Sequence, residues 1–334
     1  MKDFGSYTCT VARQQNRQEG KVTITEEGLE FTCDSEHFFL DFAYLMDFRL
    51  KEYHLFLETT TGQVELSMLG KQTETFFERL WEAYNNKCTK ALFVTEDTRY
   101  EGEGDYAYTE QGVVQQGIAK IALYDSCLVL YPHDRYARRI PLCFCKEPVT
   151  ADFQLSLESD TGDTYRIGRI GRYSQEVFDR IVRLRSEVAT KWREAHLELE
   201  QQLPSKLGPA QTCYEIMASC GGRMVSGLFS LETEGFWFAN LHPHKAVVEL
   251  VTNEQTATYL YQFPTDPQLF EYALRHAMES VALHREVIFT DIADKPLYQM
   301  SVDRNYHVAF LREHNAGRII HSGSWEQQLR AFLS

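Results

Sequence analysis

The sequence lacks the short motifs that mark common enzyme active sites. It has no GxSxG, HExxH or HRD motif, and the glycine-rich stretch CGGRMVSG (220–227) has neither the GxxxxGK[ST] nor the GxGxxG spacing. The acidic residues form no DxDxDG calcium loop. We therefore favour a non-enzymatic protein without a cofactor or metal. An unrecognised enzymatic site in the C-terminal region remains the alternative.

Long apolar runs are also missing. No window of 18 or more apolar residues predicts a membrane-spanning helix, and MKDFGSYTCTVARQQNRQEG at the N-terminus has no apolar core of a signal peptide. The eight cysteines include no CxxC pair, so we expect reduced thiols in a cytoplasmic protein, and no zinc site built from them. These cysteines are Cys9, Cys33, Cys88, Cys127, Cys143, Cys145, Cys213 and Cys220.

Positive charge is scarce relative to negative charge. The chain has 34 Lys and Arg against 48 Asp and Glu, a net charge of −14, which argues against a broad nucleic-acid-binding surface. Aromatic residues make up 13% of the chain, too many for a disordered protein. At 334 residues, the length predicts two or three domains.

The chain contains an internal repeat. The stretch 53–80, YHLFLETTTGQVELSMLGKQTETFFERL, matches 153–181, FQLSLESDTGDTYRIGRIGRYSQEVFDRI, at an offset of 100 that becomes 101 after one inserted residue. Upstream, Val22 and Ile24 align with Ile121 and Leu123 at an offset of 99. A nearly constant offset over some sixty residues indicates a duplication.

Each copy has the pattern of antiparallel strands followed by one amphipathic helix. Leu55 and Leu57 alternate with polar residues before a Thr-Gly turn, which is typical of a half-buried hairpin. The period then changes to helical spacing, with Phe76, Leu80 and Tyr84 recurring in the first copy. We predict an α+β fold in which a C-terminal helix follows the strands of each copy.

This order resembles the pleckstrin-homology-like (PH-like) fold, in which a C-terminal helix plugs one end of a bent β-barrel. The resemblance covers about residues 1–90 and 103–200 and rests on topology; Trp81 stands where that family often has a tryptophan, whereas Val182 takes the matching position in the second copy. It implies PH-like domains at 1–95 and 103–202. The polar stretch TEDTRYEGEGDY (95–106) is the predicted linker.

A third, α+β domain is predicted at 208–334, after the break QQLPSKLGPAQ. Alternation predicts strands at FWFANL, AVVELV and TATYLYQF, and later at LYQMSV, YHVAFL and GRIIHS. Helical spacing predicts helices at DPQLFEYALRHAMESVALH (266–284) and at SWEQQLRAFL, the latter capped by Ser324. Whether this region is a diverged copy or a separate fold stays open.

The second copy is the least acidic part, with 13 Lys and Arg against 16 Asp and Glu over 103–202. Its arginines could bind an anionic lipid or a phosphorylated ligand. On a continuous strand, however, Arg166 and Arg172 would share one face and Arg169 the other. The first-hairpin loop TEQGVVQQG, where lipid-binding PH members place basic residues, has none. The candidate binding residues are Arg135, Arg138, Arg139, Arg166, Arg169 and Arg172.

Two further patterns carry weaker functional hypotheses. His242 and His244 could supply two zinc ligands, but a loop is the favoured interpretation. Cys143 and Cys145 would share one face of a strand, and we interpret them as structural thiols.

Taken together, the patterns favour a binding or scaffolding protein that acts through tandem PH-like domains. We expect a protein partner and no nucleic acid. Peripheral contact with an anionic membrane is less favoured because of the net charge of −14. A role like that of acidic histone chaperones, some of which carry tandem PH-like modules, ranks last, because that resemblance is architectural only.

Overall fold

The computed structural model describes residues 4–14, 16–110, 112–229, 231, 235–252, 256–264, 266–280, 292 and 294–334. Within these residues the chain forms three antiparallel sheets and seven α-helices, a mixed α+β architecture. No described helix combines the length and the apolar character that crossing a membrane requires.

The first sheet has seven strands in the order β4-β3-β2-β1-β7-β6-β5. The predicted hairpins are confirmed, since Val22 pairs with Phe31 in one and Leu57 pairs with Val64 in another. The inward-facing members of these pairs are buried, as the alternation requires. The strands are β1 (Ser6–Arg13), β2 (Asn16–Ile24), β3 (Gly28–Cys33), β4 (His37–Asp41), β5 (Leu45–Lys51), β6 (His54–Thr59) and β7 (Gly62–Ser67).

Helix α1 (Thr73–Ala91) follows this sheet and supplies part of its core. Phe76, Leu80 and Tyr84 recur every four residues and are fully buried against the strands. Trp81 packs against Phe48 with ring centroids 3.8 Å apart. Closure of a barrel by this helix in the pleckstrin-homology manner remains a prediction.

The second sheet repeats the strand order of the first, as β11-β10-β9-β8-β14-β13-β12. Leu130 pairs with Ile121 and Leu157 pairs with Tyr165, at the positions that the aligned repeat predicts for hairpins. The strands are β8 (Tyr100–Glu110), β9 (Val113–Leu123), β10 (Cys127–Pro132), β11 (Arg138–Pro141), β12 (Val149–Ala151), β13 (Gln154–Glu158) and β14 (Thr164–Gly168).

Both seven-stranded sheets curl into half-barrels. In the second sheet, Arg138 on β11 lies 2.9 Å from Glu110 at the end of β8, although two strands separate them in the sheet order. In a flat sheet that separation would be about 14 Å, which an arginine side chain cannot reach. The curl therefore brings these two side chains together.

Helix α2 (Ser174–Lys206) extends over 33 residues and belongs to two cores. Val177, Phe178 and Ile181 are buried against the second sheet, whereas Leu199 and Leu203 pack into the C-terminal region. The helix continues through Pro204, and the predicted break comes at the short 3₁₀ turn Gly208–Ala210. The second and third regions therefore share one helix.

The third sheet has five strands in the order β15-β16-β17-β18-β19. The strands predicted at FWFANL, AVVELV and TATYLYQF are confirmed, and the later strand is Asn315–Ile319. The strands are β15 (Arg223–Leu228), β16 (Phe236–His242), β17 (Lys245–Val251), β18 (Thr256–Gln262) and β19 (Asn315–Ile319).

The C-terminal helices confirm two predictions and overturn two others. The helix predicted from Asp266 is confirmed over Pro267–Ser280, its last four predicted residues lying outside the described ones, and the final helix is confirmed over Trp325–Leu333. No side-chain capping bond from Ser324 to a backbone amide accompanies the final helix. The helices are α3 (Gln211–Ser219), α4 (Pro267–Ser280), α5 (Pro296–Arg304), α6 (Tyr306–Glu313) and α7 (Trp325–Leu333).

The strands predicted at LYQMSV and YHVAFL are wrong, because these segments form α5 and α6. Pro296 begins α5, where its missing N–H costs nothing, and Asn305 caps α6 by accepting a bond from the amide of Val308. Alternation over five or six residues does not distinguish a strand from a short buried helix.

Three local predictions also need correction. Strand β8 begins at Tyr100, so most of the predicted linker 95–106 is strand. Strand β14 ends at Gly168, and Arg169 has a φ of +53°, so the arginine run is no continuous strand. The segment Leu142–Phe144 is a 3₁₀ turn, so Cys143 and Cys145 do not share a strand face.

Candidate functional site

A polar cleft of about 250 Å³ lies between the second sheet and the C-terminal helices. Residues of β8, β11 and β14 form one wall, and residues of α4, α5 and α6 form the other. We call this space the inter-region cleft. Carboxylates, arginines and histidines from the second and third regions line it.

Glu110 and Arg138 form the charged centre of the sheet wall. The guanidinium of Arg138 lies 2.9 Å from the Glu110 carboxylate, to which the Tyr165 hydroxyl also donates a bond of 3.0 Å. Arg138 donates to the hydroxyl of Tyr136 and stacks over its ring at 4.2 Å. Burial raises the pKa of Glu110, and the charge of Arg138 opposes that rise. The cation is therefore held by a carboxylate and an aromatic face.

Arg139 joins the two walls. Its guanidinium donates two parallel bonds of 2.6 and 2.7 Å to the Glu279 carboxylate on α4 and a third to the hydroxyl of Ser280. Both charged side chains are less than a tenth exposed. A buried bidentate pair of this kind fixes β11 against α4.

Two histidines lie beside this pair. His276 on α4 stacks on Phe144 at 4.1 Å, and its ring centroid is 4.3 Å from that of His307 on α6. Burial lowers the pKa of His276 well below its usual value and lowers that of His307 to about 4. Both rings are therefore neutral at pH 7, and no described residue makes a hydrogen bond to either nitrogen of His276.

The helical wall reaches the first sheet as well. Arg304 at the end of α5 donates a bond of 2.9 Å to the hydroxyl of Tyr84 on α1, and bonds of 3.1 and 3.2 Å to the carbonyl oxygens of Leu45 and Met46. Beside it, burial raises the pKa of Asp303. Three arginines of the cleft, Arg138, Arg139 and Arg304, already have partners, so a charged ligand would have to compete with these contacts.

The six predicted arginines do not form one patch. Only Arg138 and Arg139 line the inter-region cleft, and the neighbouring Arg135 bonds to Asp134. Arg166 lines a separate groove on the second sheet. Arg169 is 84% exposed and lies 3.2 Å from Asp105, and Arg172 lies over the ring of Tyr173.

Two hairpin tips form a second candidate surface, which we call the aromatic turns. Glu52 and Tyr53 connect β5 to β6, and Asp152 and Phe153 connect β12 to β13, each as a two-residue loop. All four residues have φ between +50° and +64°. Such loops ordinarily carry Asn-Gly, because both central residues need positive φ.

The aromatic side chains at these turns point outward. Tyr53 is 72% exposed and Phe153 is 85% exposed, and the aligned repeat places them at equivalent positions. A bulky residue at positive φ costs about 1–2 kcal/mol. Both half-barrels therefore carry the same strained, exposed aromatic group, a feature that the sequence analysis missed because alternation continues through Tyr53 and Phe153 as if they were strand residues.

The predicted histidine pair in the third sheet forms a turn. His242 is the last residue of β16 and pairs with Lys245, so Pro243 and His244 make up the connection to β17. The ring of His242 contacts the side chain of Asn240, and His244 has a φ of +64°. The favoured interpretation of this motif as a loop is confirmed, in the form of a two-residue connection.

Comparison with known proteins adds little to these observations. No family model and no curated protein matches the sequence. The C-terminal domain of a protein of unknown function from Leishmania infantum is 16% identical and covers 25% of this chain and 84% of its own length, with a TM-score of 0.22.

Two further solved structures are similar at the same low level. The Spt16D Pob3N heterodimer is 17% identical, covers 48% of this chain and 88% of its own, and has a TM-score of 0.22. The DNA polymerase III subunit beta from Pseudomonas aeruginosa is 12% identical, covers 77% of this chain and 76% of its own, and has a TM-score of 0.16. At these scores the similarity carries no argument about fold or function.

Proposed function

We propose that this chain is a non-enzymatic scaffold in which two PH-like modules, related by duplication, bind a protein partner through the aromatic turns. The observation that carries the proposal is the pair Tyr53 and Phe153. Each lies at the tip of the equivalent hairpin, strained at positive φ and largely exposed. Backbone strain of this kind persists where it serves a function. Because the exposed rings contribute little to the core, we infer that the function is contact with a partner.

Aromatic residues suit such a role. Tyr and Phe bring large contact areas at little cost in side-chain entropy, and aromatic residues are enriched among the residues that dominate protein interfaces. Two equivalent tips on one rigid body can bind two sites of one partner, which raises the overall affinity without new contacts. The curled antiparallel sheets are compatible with PH-like modules.

Rigidity supports the scaffold interpretation. Residues from β9 and β10 of the second sheet, including Ala122 and Val129, belong to the same buried cluster as α1 and the first sheet. Asn85 on α1 accepts a bond of 3.0 Å from the amide of Ala137 and donates one of 3.2 Å to the carbonyl of Pro132. A shared core of this kind holds the two modules at one distance and orientation.

An anionic ligand bound through the six arginines is a second candidate with less support. Arg138 and Arg139 are engaged by Glu110 and Glu279, so a phosphate group would have to displace a buried carboxylate. The exposed Arg166 and Arg172 remain the better candidates for such a ligand. Steep salt dependence of binding to anionic vesicles would favour this alternative.

The test compares the full chain with a double variant, Tyr53→Ala with Phe153→Ala, which removes both aromatic rings. Each is used as bait in a lysate of the source organism, and the retained proteins are quantified by mass spectrometry. We expect at least one protein to be retained by the wild type and lost from the double variant. Binding of that protein, once purified, should then be at least 10-fold weaker to the double variant.

The matched control is Leu197→Ala, which removes an exposed apolar side chain, 49% exposed, from helix α2. This variant should retain the same protein with unchanged affinity. If the double variant and the wild type bind every retained protein equally, the aromatic turns are not the binding surface and the proposal fails. The full chain is required in each case because the regions share buried cores.

A further inference from the structure

A buried cluster of Cys213, Glu249 and His321 lies in the C-terminal region, away from the aromatic turns and the inter-region cleft. Cys213 is the third residue of α3, Glu249 lies on β17, and His321 follows β19. The sulfur, a carboxylate oxygen and an imidazole nitrogen all lie within 4.8 Å of one another. Cys213 and Glu249 are fully buried, and the His321 side chain is 17% exposed.

Two separations within the cluster are close to the edges of a tetrahedral zinc site. The Cys213 sulfur lies 3.4 Å from Oε2 of Glu249, and Nε2 of His321 lies 3.2 Å from Oε1 of the same carboxylate. Around zinc, with bonds of about 2.3 Å to sulfur and about 2.0 Å to nitrogen or oxygen, the tetrahedral edges are about 3.5 Å for S···O and about 3.3 Å for N···O. These two distances run to different oxygens of the carboxylate, so a shared ion requires one carboxylate oxygen to turn toward both other donors.

Charge gives a second argument. A carboxylate with no exposed surface is costly unless a positive charge compensates it. Oε1 of Glu249 receives no hydrogen bond from any described residue, and Nε2 of His321, 3.2 Å away, supplies a positive charge only when the ring is protonated. A divalent ion bound by one thiolate and one carboxylate forms a site with no net charge.

Neighbouring side chains hold the His321 imidazole in the way that is usual for metal-binding histidines. Nδ1 of His321 lies 3.4 Å from the Thr256 hydroxyl, and Trp325 stacks on the ring at 4.2 Å. Metal-binding histidines usually donate their second ring N–H to such an acceptor. The Thr258 hydroxyl lies 2.5 Å from Glu249 and 2.6 Å from His321, so it contacts two of the three donor side chains.

We propose that Cys213, Glu249 and His321 bind a zinc ion, with the fourth position taken by Thr258 or by a water in its place. Mixed sulfur, nitrogen and oxygen donors suit a borderline-soft ion with tetrahedral preference. The ion links α3, the third sheet and the segment before α7, and stabilises that region. The part-exposed imidazole provides the entry path.

The test uses the full chain after treatment with a chelator and titration with Co²⁺, whose bond to a thiolate gives a near-ultraviolet charge-transfer band. We expect this band to saturate at one ion per chain, Zn²⁺ to abolish it, and Zn²⁺ to raise the unfolding temperature. Cys213→Ser should remove the band and the thermal shift. Cys220→Ser, at the end of the same helix, should change neither.

Two further variants keep the proposal testable if Cys213→Ser does not fold. His321→Gln alters the most exposed ligand and should weaken Co²⁺ binding at least 100-fold. Thr256→Val removes the acceptor of the second ring nitrogen and should weaken it about 10- to 100-fold. A folded wild type without the band, a band that persists in folded Cys213→Ser, or unchanged affinity in His321→Gln would each overturn the assignment.

Discussion

The two seven-stranded sheets have the same strand order, but their helices have different surroundings. Helix α1 has 19 residues and lies in a core shared by the first sheet and part of the second. Helix α2 has 33 residues, packs on the second sheet through its N-terminal part, and continues into the third region. Similar local patterns therefore give the same strand order, whereas the neighbours determine the role of each helix.

The aligned positions of the helices show this difference. Trp81 on α1 is buried between rings of the first core, whereas its counterpart Val182 on α2 is only partly buried. Lys87 on α1 is buried and bonds to Asp41 at 2.5 Å. The two helices therefore share their helical spacing, whereas the burial of aligned side chains differs.

The largest expected effect concerns the buried ion pair between Arg139 on β11 and Glu279 on α4. It tests how much the contact between the second sheet and the third region stabilises the protein. Arg139→Ala leaves the Glu279 carboxylate buried without its cation, which should lower the free energy of unfolding by about 3–5 kcal/mol. Urea unfolding measures this loss. Arg169→Ala, which changes an 84% exposed side chain near Asp105, should cost at most about 1 kcal/mol.

The double variant Arg139→Met with Glu279→Met distinguishes the lost charge partner from the lost packing. It should recover most of the stability lost in Arg139→Ala, because no buried charge is then left unpaired. A loss below about 1 kcal/mol in Arg139→Ala would mean that β11 and α4 are not held together by this pair.

The contact of α1 with the second sheet rests on Asn85. Asn85→Ala leaves the amide of Ala137 and the carbonyl of Pro132 without their bonds, and should cost about 2–3 kcal/mol in urea unfolding. Hydrogen exchange should increase at Ala137. The neighbouring Asn86 is exposed, so Asn86→Ala should stay within about 0.5 kcal/mol of the wild type.

The buried histidines predict how stability depends on pH. Because burial lowers the pKa of His307 to about 4, the unfolded chain binds more protons than the folded one between about pH 6.5 and pH 4. The contribution of the neutral His307 ring to the free energy of unfolding is therefore fully present above about pH 6.5, and it is lost as the pH falls toward 4. From pH 7 to pH 5, His307 should contribute a loss of about 1–2 kcal/mol.

His307→Leu should reduce this pH dependence, measured as the difference in unfolding free energy between pH 7 and pH 5. The exposed His133 provides the control, and His133→Asn should leave the wild-type difference unchanged. Equal pH dependence in His307→Leu and the wild type would contradict the neutral, buried state of the His307 ring.

The smallest expected change in unfolding free energy comes from the aromatic turns, which are equivalent in the two sheets. Phe153→Gly and Tyr53→Gly should each stabilise the protein by about 1 kcal/mol, because glycine adopts positive φ without strain. Phe153→Ala removes the same ring but keeps the strain, so it should not gain this stability. If Phe153→Gly is no more stable than Phe153→Ala in urea unfolding, the turn is not strained.

Sequence periodicity predicted the strands of both half-barrels and the helices after them, because hairpins and amphipathic helices depend on neighbours close in the chain. It failed at LYQMSV and YHVAFL, where Pro296 and the Asn305 cap outweighed a short alternating pattern. The six arginines were chosen by sequence proximity, but Arg138 and Arg139 line the inter-region cleft, whereas Arg166 lines a separate groove.

Through local spacing, the sequence by itself determined that this chain is an α+β protein with two similar sheets and amphipathic helices. The tertiary structure decided which distant residues meet. Arg139 meets Glu279 across 140 residues, and Cys213 meets Glu249 and His321 across 36 and 108 residues. Such contacts depend on the curl of the sheets and the packing of whole elements, which no local pattern encodes.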